Sequence, residues 1–363
     1  MTDYKKDLKE LILMVVKEGA SDLHLAVGFR PTIRVSGALI PLLKNPVLSP
    51  EDTEGLIMVL LSDFNRPSLS DFNRQRLLAD KEVDFSYQFE DKVRFRGNAF
   101  YQRSYLGVSL RLIPPQVKSL KDLGLPEAAL QYFAMKRQGF FLVVGPIGHG
   151  KSTTLASMVD FINHTRSEHI LTIEDPVEYL FSQDKSIIDQ REVYFDTTSF
   201  YRALRSMFRQ DVNVAMIGEM RDPETISTAI TAAETGHLIF SSLHTNSAAQ
   251  TINRIIDSFP PNQQNQIKIQ LSGSLLGVFS QRLVPRVAGG LVPAYELLIV
   301  NTAVSNLIRE GRTHEVDMVI ETSLDQGMVS LNRSLIDLVH KGEITVETAV
   351  SFSLNPNELQ RAL

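Results

Sequence analysis

The feature that most constrains this chain is Gly145-Pro146-Ile147-Gly148-His149-Gly150-Lys151-Ser152, a complete G-x4-G-K-S phosphate-binding loop. It follows the apolar run FFLVV and opens the helical segment STTLASMVDFI, which is the strand–loop–helix setting the motif needs. Glycines let backbone N–H groups curl around phosphates without Cβ clashes, and the helix adds its positive N-terminal end. In this reading Gly145, Gly148, His149, Gly150, Thr153 and Thr154 bind the nucleotide together with Lys151 and Ser152. Lys151 reaches the β- and γ-phosphates of ATP, and the Ser152 hydroxyl ligates Mg²⁺. His149 stands where a small residue is usual, and a side chain pointing outward would be tolerated there.

The rest of the chain divides in two. Leu8, Leu11, Ile12, Val15 and Val16 keep the spacing of one buried helical face, which Gly19 ends. Residues 21–25 and 32–35 alternate as half-buried strands, and Ser49 to Phe64 predicts a helix entered through Ser49-Pro50-Glu51. Strands follow at Val83–Tyr87, Val93–Tyr101 and Val108–Ile113, so residues 1–113 predict a small α+β domain with an antiparallel sheet. Pro114-Pro115 opens a linker that reaches about Gly124-Leu125-Pro126. Beyond it, apolar runs at 140–144, 170–173, 212–217 and 237–243 alternate with helical segments. That pattern predicts βαβ units and a mainly parallel sheet over 126–363, with a helical tail from about Asn301.

Phosphoryl transfer to water also needs carboxylates to hold metal and orient the water. Two acidic clusters end predicted strands, Glu174-Asp175-Pro176-Val177-Glu178 and Gly218-Glu219, and strand C-termini are where open α/β sheets bind ligands. His237 and His244 bracket one strand seven positions apart, so only His244 is placed by topology near the phosphates. That spacing argues against a shared metal.

The 363 residues contain no cysteine, which excludes disulfides and cysteine-bound zinc. The charged start MTDYKKDLKELILMVVKEG does not have the pattern of a signal peptide, and no run reaches about 18 apolar residues. A cytoplasmic protein is the expectation. The net charge of −5 disfavours a nucleic-acid partner.

Together these residues resemble the type IV pilus retraction ATPases, the twitching-motility PilT/PilU group of the type II/IV secretion ATPase superfamily. The similarity rests on 145–158, HILTIEDPVEY (169–179), QREV (190–193), IGEMRDPETI (217–226) and AAETGHLIFSSLHTNSA (232–248). SDLHL (21–25) and RFRGNAFYQR (94–103) match as well. The resemblance implies an α/β chain with an N-terminal PAS-like domain (1–113), a linker (114–125) and a RecA-like ATPase domain (126–363). It implies a homohexameric ring at the cytoplasmic face of the inner membrane, working on a pilus platform protein, with a paralogous retraction ATPase as a further partner. It implies that Glu178 activates water, that Glu219 is the Walker B carboxylate, and that His237 and His244 form a "His box". It also implies that Arg96 and Arg111 reach the γ-phosphate as the ring closes. The residues alone had not singled out those arginines.

Val304-Ser305 stand where the retraction signature AIRNLIRE has Ile-Arg. With FYQR (100–103) and Gly107, they lean towards the accessory paralogue. A RecA-like nucleic-acid motor and a nucleotide-regulated adaptor with little turnover are the competing readings.

Overall fold

A computed structural model describes residues 3–35, 37–62, 67–90, 93–113 and 116–363, with side chains omitted at 67–70. Pro114-Pro115 and Phe64 lie outside the described residues. The chain forms two compact units, one of residues 1–116 with 176–180, the other of 117–175 with 181–363.

The smaller unit begins with α1 (Tyr4–Lys17), capped by the Asp3 side chain. Leu8, Leu11, Ile12 and Val15 of this helix are buried, whereas Val16, expected on the same face, is 44% exposed. At 100° per residue Val16 lies about 80° round from Leu8, at the margin of the apolar stripe. Strands β1 (Asp22–Ala26), β2 (Thr32–Val35) and β3 (Ala38–Pro41) lead to α2 (Pro50–Leu60). Ser49 and Asp52 close a capping box at its start, and proline at the first turn costs no hydrogen bond. Then come α3 (Pro67–Asp80), β4 (Glu82–Phe89), β5 (Val93–Gln102) and β6 (Tyr105–Ile113). The six strands pair antiparallel in the order β3-β2-β1-β6-β5-β4. One face of the sheet supplies Leu23, Leu25, Phe85, Phe95 and Val108 to a core shared with α1 and α2.

The larger unit starts at α4 (Glu127–Ala134), β7 (Gly139–Val144) and α5 (Lys151–Thr165). It continues through β8 (His169–Glu174), β9 (Ile187–Glu192), α6 (Phe200–Met207), β10 (Val214–Ile217), α7 (Pro223–Glu234) and β11 (Leu238–Leu243). After α8 (Ala248–Asp257) and α9 (Pro261–Ser274), the hairpin β12 (Leu275–Pro285) and β13 (Leu291–Ile299) completes a sheet in the order β13-β12-β7-β11-β10-β8-β9. All neighbours in it are parallel except β12 and β13. The tail is helical: α10 (Thr302–Glu310), α11 (Val316–Thr322), α12 (Leu331–His340), α13 (Val346–Phe352) and α14 (Pro356–Ala362).

Every residue of β7, β10 and β11 is buried, as expected of parallel strands covered on both faces. In β7, Phe140, Leu142 and Val144 enter one core while Phe141 and Val143 enter the other, so this strand anchors both layers. The hydrophobic pattern did not single out β9, β12 or β13. The edge strand β9 reads IIDQRE, with more polar than apolar residues, and β12 carries Gln281 and Arg282 in its middle.

Candidate ATP site

The parallel sheet carries β7, β8, β10 and β11 in one direction, so their C-terminal ends share one edge. The phosphate loop leaves that edge after Val144. Gly145 has φ 143° and lies so close to β12 that a Cβ would collide with the Gln281 carbonyl oxygen. Gly150 caps α5 in the left-handed region at φ 84°, which turns the loop into the helix.

Lys151 is buried, and its ammonium group donates to the carbonyl oxygens of Gly145 and Pro146, both at 2.9 Å. It also lies 3.2 Å from His244 Nδ1. An ammonium has only donors, so His244 Nδ1 accepts and the other ring nitrogen carries the hydrogen. That nitrogen, Nε2, sits 3.4 Å from Glu219 Oε2. Glu219 also pairs with Arg221. The three groups Lys151, His244 and Glu219 therefore form one chain of polar contacts along the ends of β7, β11 and β10. The Ser241 and Ser242 hydroxyls hold the strand ends in place by donating to the Ile217 and Gly218 carbonyls at 2.9 and 2.6 Å. A cavity of about 440 Å³ opens beside this chain, lined by Glu219, Arg221, His244, Thr245 and Arg254 among others.

Ser152 is exposed in the first turn of α5, and Thr153 is half-buried behind it. Thr154 differs from the expectation that it offers a group to nucleotide. It is fully buried, its hydroxyl donates to Gln281 Oε1 at 2.6 Å, and its amide donates to the Gly150 carbonyl at 3.0 Å. The helical register has already used both donors, so Thr154 braces the loop from behind. His149 also differs: its imidazole does not point outward but folds back, accepting the Leu283 backbone N–H at 2.9 Å.

At the end of β8, Glu174 is buried and accepts the Thr172 hydroxyl at 2.7 Å. His237 is not brought to this group. It precedes β11, roughly 23 Å from His244 at 3.3 Å per residue. Its Nδ1 lies 3.0 Å from the Ala232 carbonyl oxygen, and its ring packs edge-on against Phe208.

The other expected site residues gather in the smaller unit. Arg96 on β5 and Arg111 on β6 are direct cross-strand partners. Arg96 pairs with Glu178 at 3.2 Å, and Glu178 belongs to the short segment 176–180 that groups with this unit. Arg111 Nε meets Asp22 Oδ1 at 3.0 Å, and Asp22 also faces Arg34 at 3.6 Å. Like charges opposite one another on adjacent strands are unfavourable, and the carboxylates of Glu178 and Asp22 offset that repulsion. Asp22 and Gln281 are site-supporting residues that sequence reasoning missed. Their roles come from strand register and from contacts across 89 and 127 positions, to which no local pattern points.

Residues 3–348 match the family model described as type II/IV secretion system protein. The chain is 43% identical over 343 residues to the type IV pilus retractation ATPase PilT of Pseudomonas aeruginosa, covering 94% of this chain and 97% of that one. It is 37% identical over 355 residues to the type IV pilus ATPase PilU of the same organism, covering 98% and 90%. The crystal structure of the pilus retraction motor PilT with bound ADP superposes with a TM-score of 0.87 at 48% identity, covering 97% of this chain and 98% of that one. The chain therefore belongs to the type II/IV secretion system protein family and, within it, to the PilT/PilU group of ATP-hydrolysing enzymes.

Proposed function

We propose that this chain is a motor that couples ATP hydrolysis to retraction of a type IV pilus, drawing pilin subunits out of the fibre and so driving twitching motility. The observation that carries this reading is the contact chain from Lys151 through His244 to Glu219 at the edge where the parallel strands end. The near full-length likeness to a pilus retraction ATPase supports it. The motor acts as a homohexamer at the cytoplasmic face of the inner membrane, against a pilus platform protein and beside a paralogous retraction ATPase. Residues 1–113 serve as a PAS-like domain, 114–125 as a linker and 126–363 as a RecA-like ATPase domain. No helix among the described residues is long and apolar enough to cross a membrane.

In this reading the amides of Gly148 to Thr153 cradle the phosphates, and Lys151 exchanges the Gly145 and Pro146 carbonyls for phosphate oxygens. The exposed Ser152 hydroxyl and the Glu219 carboxylate are hard oxygen donors of the kind Mg²⁺ takes, with ATP phosphates supplying further ligands. When bound, that ion neutralises charge on the phosphates. Glu178 orients the attacking water. Arg96 and Arg111 stabilise the charge that develops on the transferring phosphoryl group. His244 relays the state of the phosphates between Lys151 and Glu219, and His237 acts away from that cluster.

Deleting the gene should leave pili on the cell surface and abolish twitching, with recovery on return of the wild-type gene. Normal twitching in a strain that also lacks the paralogue would contradict the proposal. A second reading, the accessory paralogue with weak turnover of its own, is favoured by Ser305. This half-buried residue on α10 has no charge where the retraction signature has arginine. Phosphate release by the purified chain at the background rate would select that reading.

A further inference from the structure

We propose that the His149 side chain latches the crown of the phosphate loop to β12, positioning the loop for nucleotide binding without the imidazole itself touching the nucleotide. This rests on the nucleotide-binding reading above.

β7 runs beside β12 only as far as Val144, which faces Ser280. There the chain turns away at Gly145, and β12 continues for five more residues, to Pro285. On its other side, Leu283 faces Pro293 of β13. Proline has no N–H, so this pair cannot exchange two ladder bonds. The bond it makes places the Leu283 amide on the side that β7 has vacated. His149 Nδ1 accepts that amide at 2.9 Å. A side chain of the phosphate loop thus supplies the acceptor that the strand no longer provides. Left unpaired, an amide in this part-buried position is destabilising.

Other contacts join the loop and the start of α5 to the same stretch of β12. Gly145 packs on the Gln281 carbonyl, and Thr154 donates to the Gln281 side chain. At the crown, Ile147 and Gly148 are exposed while the His149 side chain reaches back to β12. The charged groups facing the imidazole are Lys151 from its own loop and Arg282 from β12. Burial first, then these two cations, lowers its pKa from the ordinary histidine value and favours the neutral ring that an accepting Nδ1 requires.

The test uses the full chain as wild type, His149→Leu and His149→Asn. Asparagine carries an oxygen at about the position of Nδ1, whereas leucine fills the space and cannot accept. Two quantities are read: amide exchange at Leu283 without nucleotide, and the Kd of a fluorescent ADP analogue. In His149→Leu, Leu283 exchange should quicken and the Kd weaken, each by about tenfold. His149→Asn should return both to within about threefold of wild type. Unchanged Leu283 exchange in His149→Leu, or a Kd for His149→Asn as weak as for His149→Leu, would overturn the latch. If wild type fails to bind the analogue, the functional reading falls, while the exchange data still judge the latch.

Discussion

The two units present charge in different ways. In the larger unit, the polar groups of the site sit where parallel strands end: Lys151 after β7, Glu219 after β10 and His244 after β11. In the smaller unit they sit within antiparallel strands, one beside the next: Arg96 in β5, Arg111 in β6 and Asp22 at the start of β1. A parallel sheet buries its strands on both faces, so its polar chemistry is pushed to the strand ends. An antiparallel sheet packed on one face can carry charge along the other. The first arrangement makes a rigid pocket in which the backbone does much of the binding. The second makes a row of guanidinium groups whose spacing is set by strand register. Binding and transition-state stabilisation are therefore expected to separate between the units.

The largest expected effects test that separation. Arg111→Ala should lower kcat by about a thousandfold, as the loss of an arginine that acts on the transferring phosphoryl group does, while the Kd for ADP stays within about threefold. Lys151→Ala should do the reverse in character, weakening the Kd by about a hundredfold or more because charge-assisted contacts to the phosphates are lost. Steady-state phosphate release and equilibrium binding on the same preparations check both. A large loss of affinity in Arg111→Ala would break the division of labour.

A smaller effect belongs to the larger unit alone. Glu296 on β13 is buried and accepts the Ala248 amide at the start of α8, at 2.7 Å. Burial raises its pKa to about 7, with Asp317 adding to the rise and the Ala248 amide and Arg282 opposing it. A carboxyl whose pKa is raised on folding binds its proton more tightly in the folded state. Its contribution to stability is full below its ordinary value of 4.5 and is lost as pH rises through about 7. Glu296→Gln should therefore flatten the fall in Tm across that window. At pH 8 it should melt at or above wild type, by up to several degrees. An unchanged slope would show that Glu296 is not the titrating group.

The larger unit was the more legible in the sequence because its site is local. The phosphate loop, the Glu219 run and His244 each follow a short apolar strand, and parallel topology sends all three to one edge. The hydrophobic periods of α1, α2 and most strands were legible for the same reason. Arg96 and Arg111 were not. On a half-buried strand an arginine has the pattern of any surface residue, and only the family resemblance pointed to these two. Their pairing with Glu178 and Asp22 spans 82 and 89 positions, and of the two only Arg111 with Asp22 is set by strand register. His149 and Thr154 were misjudged because a loop sequence does not show which strand lies behind it. Here that strand is β12, whose polar Gln281 and Arg282 also hid it from the hydrophobic pattern.

The most direct test of the whole account is Glu178→Ala in the purified chain, followed by nucleotide Kd and phosphate release. Water activation matters only in the transition state, so binding should stay within about threefold of wild type while hydrolysis falls by about a hundredfold or more. Loss of nucleotide binding with residual turnover retained would contradict the role given to Glu178 and, with it, the division between a unit that binds and groups that act on the transition state.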